Sequence, residues 1–154
     1  MKIYWKPLII SLIISLGTGA FAGFLSRGSM SMYNNLLKPD ISPPGWVFPI
    51  VWTILYILMG ISAYLIFTSG SPKRKQALYV YFLQLAVNFI WPLLFFNLEA
   101  FDFAFFWLLL LWVLIAITIK EMYNVNKVAA YLLIPYLLWV TFAGYLNYEI
   151  AKLT

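Results

Sequence analysis

The sequence predicts an all-α fold, an integral membrane bundle of five transmembrane helices forming one domain over residues 1–154. Three observations predict it. The chain is 64% apolar with a mean hydropathy of +0.90, whereas soluble domains run nearer half apolar. Charged residues make up 10% of it, too few to cover a soluble surface of this size. Five apolar runs are each long enough to cross a hydrocarbon core, which takes about 20 helical residues.

The first run covers 7–26. Lys2 and Lys6, the apolar centre and "AFA" at 20–22 also fit a cleavable secretory signal, which would leave a four-helix protein beginning at Gly23. Gly19 and Gly23 form a G-x-x-x-G step, a spacing that lets helices approach to backbone contact. Such a step serves packing inside a bundle or between two copies, and a homodimer through Gly19 and Gly23 is the expectation. A long connection, 27–45, holds "KPDISPPG", in which Pro43 and Pro44 stiffen the approach to the second run, 46–69. The third, fourth and fifth runs cover 77–96, 101–123 and 128–150. The short polar breaks "SPKRKQ", "NLEAFD" and "KEMYNVNK" separate them.

Composition removes several function classes. Cysteine and histidine are both absent, so disulfides, thiolate chemistry, cysteine-based zinc sites and imidazole bases or haem ligands are excluded, and no metal site is expected. The net charge of +5 comes from basic residues in loops, not from a stripe along a polar helix, so no nucleic-acid partner is expected. The five carboxylates, Asp40, Glu99, Asp102, Glu121 and Glu149, all lie in loops or near helix ends. None is mid-membrane, where a proton relay or cation site would place one. That argues against ion-coupled transport and against a paired-carboxylate hydrolase.

What remains deep in the runs is aromatic, amide and hydroxyl. In the third run Gln84, Asn88, Trp91 and Phe95 follow i, i+4, i+7, i+11 spacing and fall within about 60° of one another. Tyr136, Trp139, Ala143 and Asn147 share an arc of about 80° on the fifth. Trp52, Tyr56, Met59 and Ala63 share about 60° on the second. Each face alone is consistent with ordinary interhelical glue, and tryptophans near helix ends, such as Trp5 and Trp46, fit the interfacial belt. Three such faces together suggest an apolar pocket with few orienting polar groups, suited to a flat conjugated ligand.

The segments "KPDISPPGWVFPIVWTILYILMG", "QLAVNFIWPLLFF" and "IPYLLWVTFAGYLNY" resemble the translocator protein family. Its bacterial members are called tryptophan-rich sensory proteins and its mitochondrial members peripheral benzodiazepine receptors. The resemblance spans nearly the whole chain. It implies a five-helix bundle, usually dimeric, that binds porphyrins such as protoporphyrin IX and haem, sterols and benzodiazepine-site compounds, with no cofactor required. It places Trp52, Tyr56, Asn88, Trp91, Trp139 and Ala143 in the pocket. Gln84, Phe95, Tyr136 and Asn147 join them by sharing the same faces. It also implies a sterol-recognition segment at Leu146, Tyr148 and Lys152, a weak L-x-Y-x-x-x-K pattern. Two departures stand out: Ile41 replaces the family's loop tryptophan, and Trp107 replaces a frequent aspartate.

The resemblance implies a binding protein of sensory or regulatory type in a membrane, the bacterial cytoplasmic membrane being the expected one. Two other readings stay open: a light- and oxygen-dependent porphyrin-degrading enzyme using Trp52 and Trp139, and a porphyrin or sterol carrier. Lys2, Lys6, Lys73, Arg74, Lys75, Lys120 and Lys127 lie on the amino-terminal side, seven basic residues against Arg27, Lys38 and Lys152 on the other. That asymmetry predicts a cytoplasmic amino terminus and an external carboxyl terminus. A thiol probe applied to Arg74→Cys in intact cells should react only after permeabilisation. Reaction from outside would reverse the topology.

Overall fold

In lipid every backbone N–H and C=O must find its partner within the chain, so the apolar runs become helices. The computed structural model describes residues 2–154, the Met30 side chain excepted. Its helices are α1 (Trp5–Leu25), a short α2 (Met30–Asn34), α3 (Val47–Phe67), α4 (Arg74–Pro92), α5 (Phe101–Tyr123), α6 (Lys127–Leu132) and α7 (Ile134–Leu153). No strand occurs among the described residues. Five segments are long and apolar enough to cross a membrane: α1, α3, α4 with the turn that follows it, α5, and α6 with α7.

Proline sets three of the boundaries. Pro7 sits in the first turn of α1, where its missing N–H has no helical partner to lose, so the helix starts at Trp5 and not at residue 7. The amide of Tyr4 donates instead to the Tyr64 hydroxyl (2.8 Å). Pro92 ends the α-pattern of α4, and the chain widens into a π-turn, Leu93–Asn97, closed by the Leu98 amide on the Leu93 carbonyl (3.0 Å). The fifth apolar run, expected as one helix over 128–150, is two. Pro135 offers no donor to the Tyr131 carbonyl, and the helix breaks at Leu133. Asn126 caps α6 by accepting from the Ala129 amide (3.1 Å).

The spans close a ring in which α1 touches α3 and α4, α3 touches α6, and α5 touches α4, α6 and α7. The first span is the outlier: 11% of its window is buried against 44% for α3, because its contacts are concentrated on α3. Those contacts repeat every turn. Ser11 Oγ donates to the Gly60 carbonyl (2.7 Å), and Ser15 Oγ donates to the Tyr56 carbonyl (2.8 Å). One turn further, Gly19 faces the Tyr56 ring. Small residues at i, i+4 and i+8 thus let α1 lie against the antiparallel α3 at backbone distance.

Gly60 is required by that approach. A Cβ there would stand 2.8 Å from Ser15 Oγ and 3.1 Å from the Leu12 Cα. Gly60→Ala should therefore lower stability by about 1–3 kcal/mol, the usual range for overpacking. Gly17→Ala, with nothing within 4 Å of the added carbon, should be neutral or stabilising. Thermal unfolding in detergent compares the two; equal effects would contradict the close α1–α3 contact.

Candidate functional site

A cavity of about 590 Å³ lies between α1, α3 and α4, near the end that carries the first loop. Its volume falls in the range of small-molecule pockets, about 300–1,000 Å³. From α3 come Phe48, Trp52, Thr53 and Tyr56; from α4 and its π-turn come Asn88, Trp91 and Phe96. The α1 side is small: Gly19, Ala20, Ala22 and Gly23, with Arg27 at the rim. Arg27 is the one charged side chain among the described lining residues. Its guanidinium stacks over the Phe24 ring (3.9 Å) and donates to the Phe24 carbonyl (2.7 Å).

The rings are placed by turn geometry. Trp52 and Tyr56, one turn apart on α3, lie 5.6 Å centroid to centroid at 32°. Trp91 stacks on Phe95 (5.1 Å, 30°) and meets Phe96 edge-on (6.0 Å), a contact made where Pro92 opens the helix. The Trp91 indole donates to Asn147 Oδ1 (3.1 Å), whose amide donates to the Phe101 carbonyl (2.9 Å), fixing that ring's plane.

Behind the rings runs a buried polar chain. The Tyr56 hydroxyl donates to Asn88 Oδ1 (2.5 Å), Asn88 Nδ2 donates to the Tyr136 hydroxyl (2.6 Å), and that hydroxyl donates to Gln84 Oε1 (2.7 Å). It joins α3, α4 and α7 among buried groups, where an unpaired amide is costly.

Of the sequence-predicted residues, Trp52, Tyr56, Asn88 and Trp91 line the cavity. Gln84, Phe95, Tyr136, Ala143 and Asn147 are buried behind it, and Trp139 packs its ring on Phe48 (5.9 Å) with its indole N–H buried and unpartnered. The face of α7 is thus the back wall, and α1 supplies the third side expected of it. Of the two glycines of the G-x-x-x-G step, Gly19 faces Tyr56 of its own chain, while Gly23 lines the cavity and is also exposed. The sterol segment does not form one surface either. Leu146 is in the core, while Tyr148 and Lys152 point out together (5.8 Å), with Lys152 3.9 Å from Glu149.

The first loop is anchored beside the cavity. Tyr33 is buried against Phe48 (5.1 Å) and Phe96 (6.3 Å), and its hydroxyl donates to the Pro43 carbonyl (2.8 Å). Burial pushes this phenol up to about 12. Ile41 is exposed and away from the lining. Trp107 serves packing, its indole donating to the Val87 carbonyl (2.8 Å).

Both ends of the Asn88 amide are taken, so it holds walls together and leaves little for a ligand. Asn88→Ala should lower stability by about 0.6–1.7 kcal/mol, the measured span for membrane hydrogen bonds. Thermal unfolding of this variant beside Trp112→Leu, which breaks only a surface bond to Thr141, checks the chain's contribution. No loss for Asn88→Ala would contradict it.

Comparison with known proteins agrees with this architecture. A family model described as the TspO/MBR family matches residues 9–153. The chain is 37% identical to the tryptophan-rich protein TspO of Chlorobaculum tepidum, covering 99% of this chain and 97% of that one. It is 35% identical to the tryptophan-rich sensory protein of Cereibacter sphaeroides, over 99% and 94%. With the translocator protein of Bos taurus it shares 37%, over 94% and 88%. The five apolar spans, the ring-lined cavity and these matches have one conclusion: the chain is an integral membrane protein of the TspO/MBR family.

Proposed function

We propose that the protein is a membrane receptor for a flat aromatic amphiphile with an anionic edge, a porphyrin such as protoporphyrin IX, held in the cavity between α1, α3 and α4. One observation carries this reading: a cavity walled by Phe48, Trp52, Tyr56, Trp91 and Phe96 has one cation among its described lining residues, Arg27, at its rim. Aromatic walls favour a planar conjugated body, since each offset ring pair adds about 0.5–1.5 kcal/mol beyond burial. The guanidinium favours a carboxylate at the end of the ligand nearest the loop. The name of the Cereibacter sphaeroides relative, a sensory protein, agrees with binding as the protein's task.

The set of lining groups supports binding over chemistry. It holds rings, hydroxyls and an amide already bonded at both ends, with no carboxylate among the described lining residues to act as a base. Trp139, one of two tryptophans a degradative reaction would use, is a ring removed from the cavity.

Protoporphyrin should quench tryptophan fluorescence with saturation at one ligand per chain. Trp52→Leu should weaken binding by about 1–3 kcal/mol through lost area and stacking. Trp112→Leu, on the outer side of α5, should leave it unchanged. Arg27→Gln should weaken protoporphyrin by about 0.2–1 kcal/mol, the scale of an exposed ion pair, and leave its neutral dimethyl ester unaffected. Equal losses for the acid and the ester would remove Arg27 from the reading. Equal losses for Trp52→Leu and Trp112→Leu would remove the cavity.

A further inference from the structure

The cavity opens sideways. Of its lining residues, Ala20 and Gly23 on α1 and Pro49 and Thr53 on α3 are also exposed on the outside of the bundle. Both helices are membrane spans, so that outside is lipid. By contrast no described residue between 28 and 47 lines the cavity. A path along the bundle axis through the loop would have to displace Tyr33 and Phe48, which are buried against each other.

We propose that the ligand enters and leaves from the bilayer, through a portal between α1 and α3 framed by Gly19, Ala20, Gly23, Pro49 and Thr53. The inference rests on the binding reading above and names the phase from which that site is filled. No frame residue is larger than proline or threonine, and a Cβ added at Gly23 meets nothing within 4 Å. The first span is also the least buried of the five, so most of its surface already faces lipid beside the portal.

Charge placement agrees with this route. An amphiphile in a bilayer keeps its anionic group at the interface and its apolar body in the hydrocarbon. Arg27 follows the end of α1 at Leu25, and Gly19 lies about 9 Å deeper along that helix. A porphyrin sliding in from lipid therefore meets the cation with its carboxylates and Trp52 with its macrocycle, without turning over. An unpartnered charge would not have to cross the hydrocarbon core on the way.

Stopped-flow quenching by protoporphyrin in proteoliposomes of phosphatidylcholine tests the route with Gly23→Leu and Ala20→Leu. A narrowed portal raises the barrier in both directions, so association and dissociation should each slow about tenfold, whatever change in Kd the added bulk in the lining brings. For the unmodified protein, the association rate should follow porphyrin per lipid and not porphyrin per volume of water. Wild-type rates in both variants would overturn the portal. So would a Kd that rises through faster dissociation, which marks a wall contact. Two variants guard against misfolding in one, and a retained thermal transition qualifies each. Absence of saturable quenching in the unmodified protein would instead sink the binding reading, before any variant is compared.

Discussion

Tyr56 is the residue on which three walls of the bundle depend. Its carbonyl accepts the Ser15 hydroxyl of α1, its ring lies on Gly19, its hydroxyl donates to Asn88 of α4, and its ring lies tilted against Trp52 within α3. Through Asn88 the same contact reaches Tyr136 on α7. No hydrophobic drive holds helices together in lipid, so close packing and interhelical hydrogen bonds must do so. Tyr56 supplies both at one level of the membrane. A side chain at position 19 would push the ring away and loosen the polar chain behind it.

The cavity follows from that constraint. Small residues bring α1 against α3 from Ser11 to Gly19, and beyond Gly19 the α1 side of the cavity is still small, with Ala20, Ala22 and Gly23. On the other side Pro92 opens α4 into the π-turn, where Phe96 meets Trp91 and Tyr33. Close contact at one end and missing bulk at the other leave a wedge lined by rings. The loop is tied down beside the wedge by Tyr33, and no described residue between 28 and 47 lines it, so its exposed side lies between α1 and α3 with Arg27 at the rim.

The five spans were legible because a membrane helix declares itself by length and hydropathy alone, and Trp52, Tyr56, Asn88 and Trp91 were legible by spacing. The third wall was not. Helical periodicity shows which residues share a face but not which helix that face meets, so spacing groups the aromatic face of the fifth run with the other two, and the structure sets it behind the cavity lining. Gly19 and Gly23 carried the missing signal, yet a G-x-x-x-G step looks the same whether it packs inside a bundle or outside it. In the sequence Arg27 bears on topology; only its place after α1 brings it to the rim. The break at Leu133 follows from Pro135, a local signal that the hydropathy of an uninterrupted apolar run does not carry.

The central claim is that the seat of Tyr56 on Gly19 and its bond to Asn88 are one linked arrangement. A double-mutant cycle of Gly19→Ala with Tyr56→Phe, read as unfolding free energy in the same detergent, tests it most directly. The added methyl clashes with ring carbons that both Tyr56 and Phe would carry, so the clash is common to both backgrounds. The account predicts that Gly19→Ala costs more with tyrosine at 56 than with phenylalanine, by about 0.6–1.7 kcal/mol, the span for one membrane hydrogen bond. Strict additivity would contradict it.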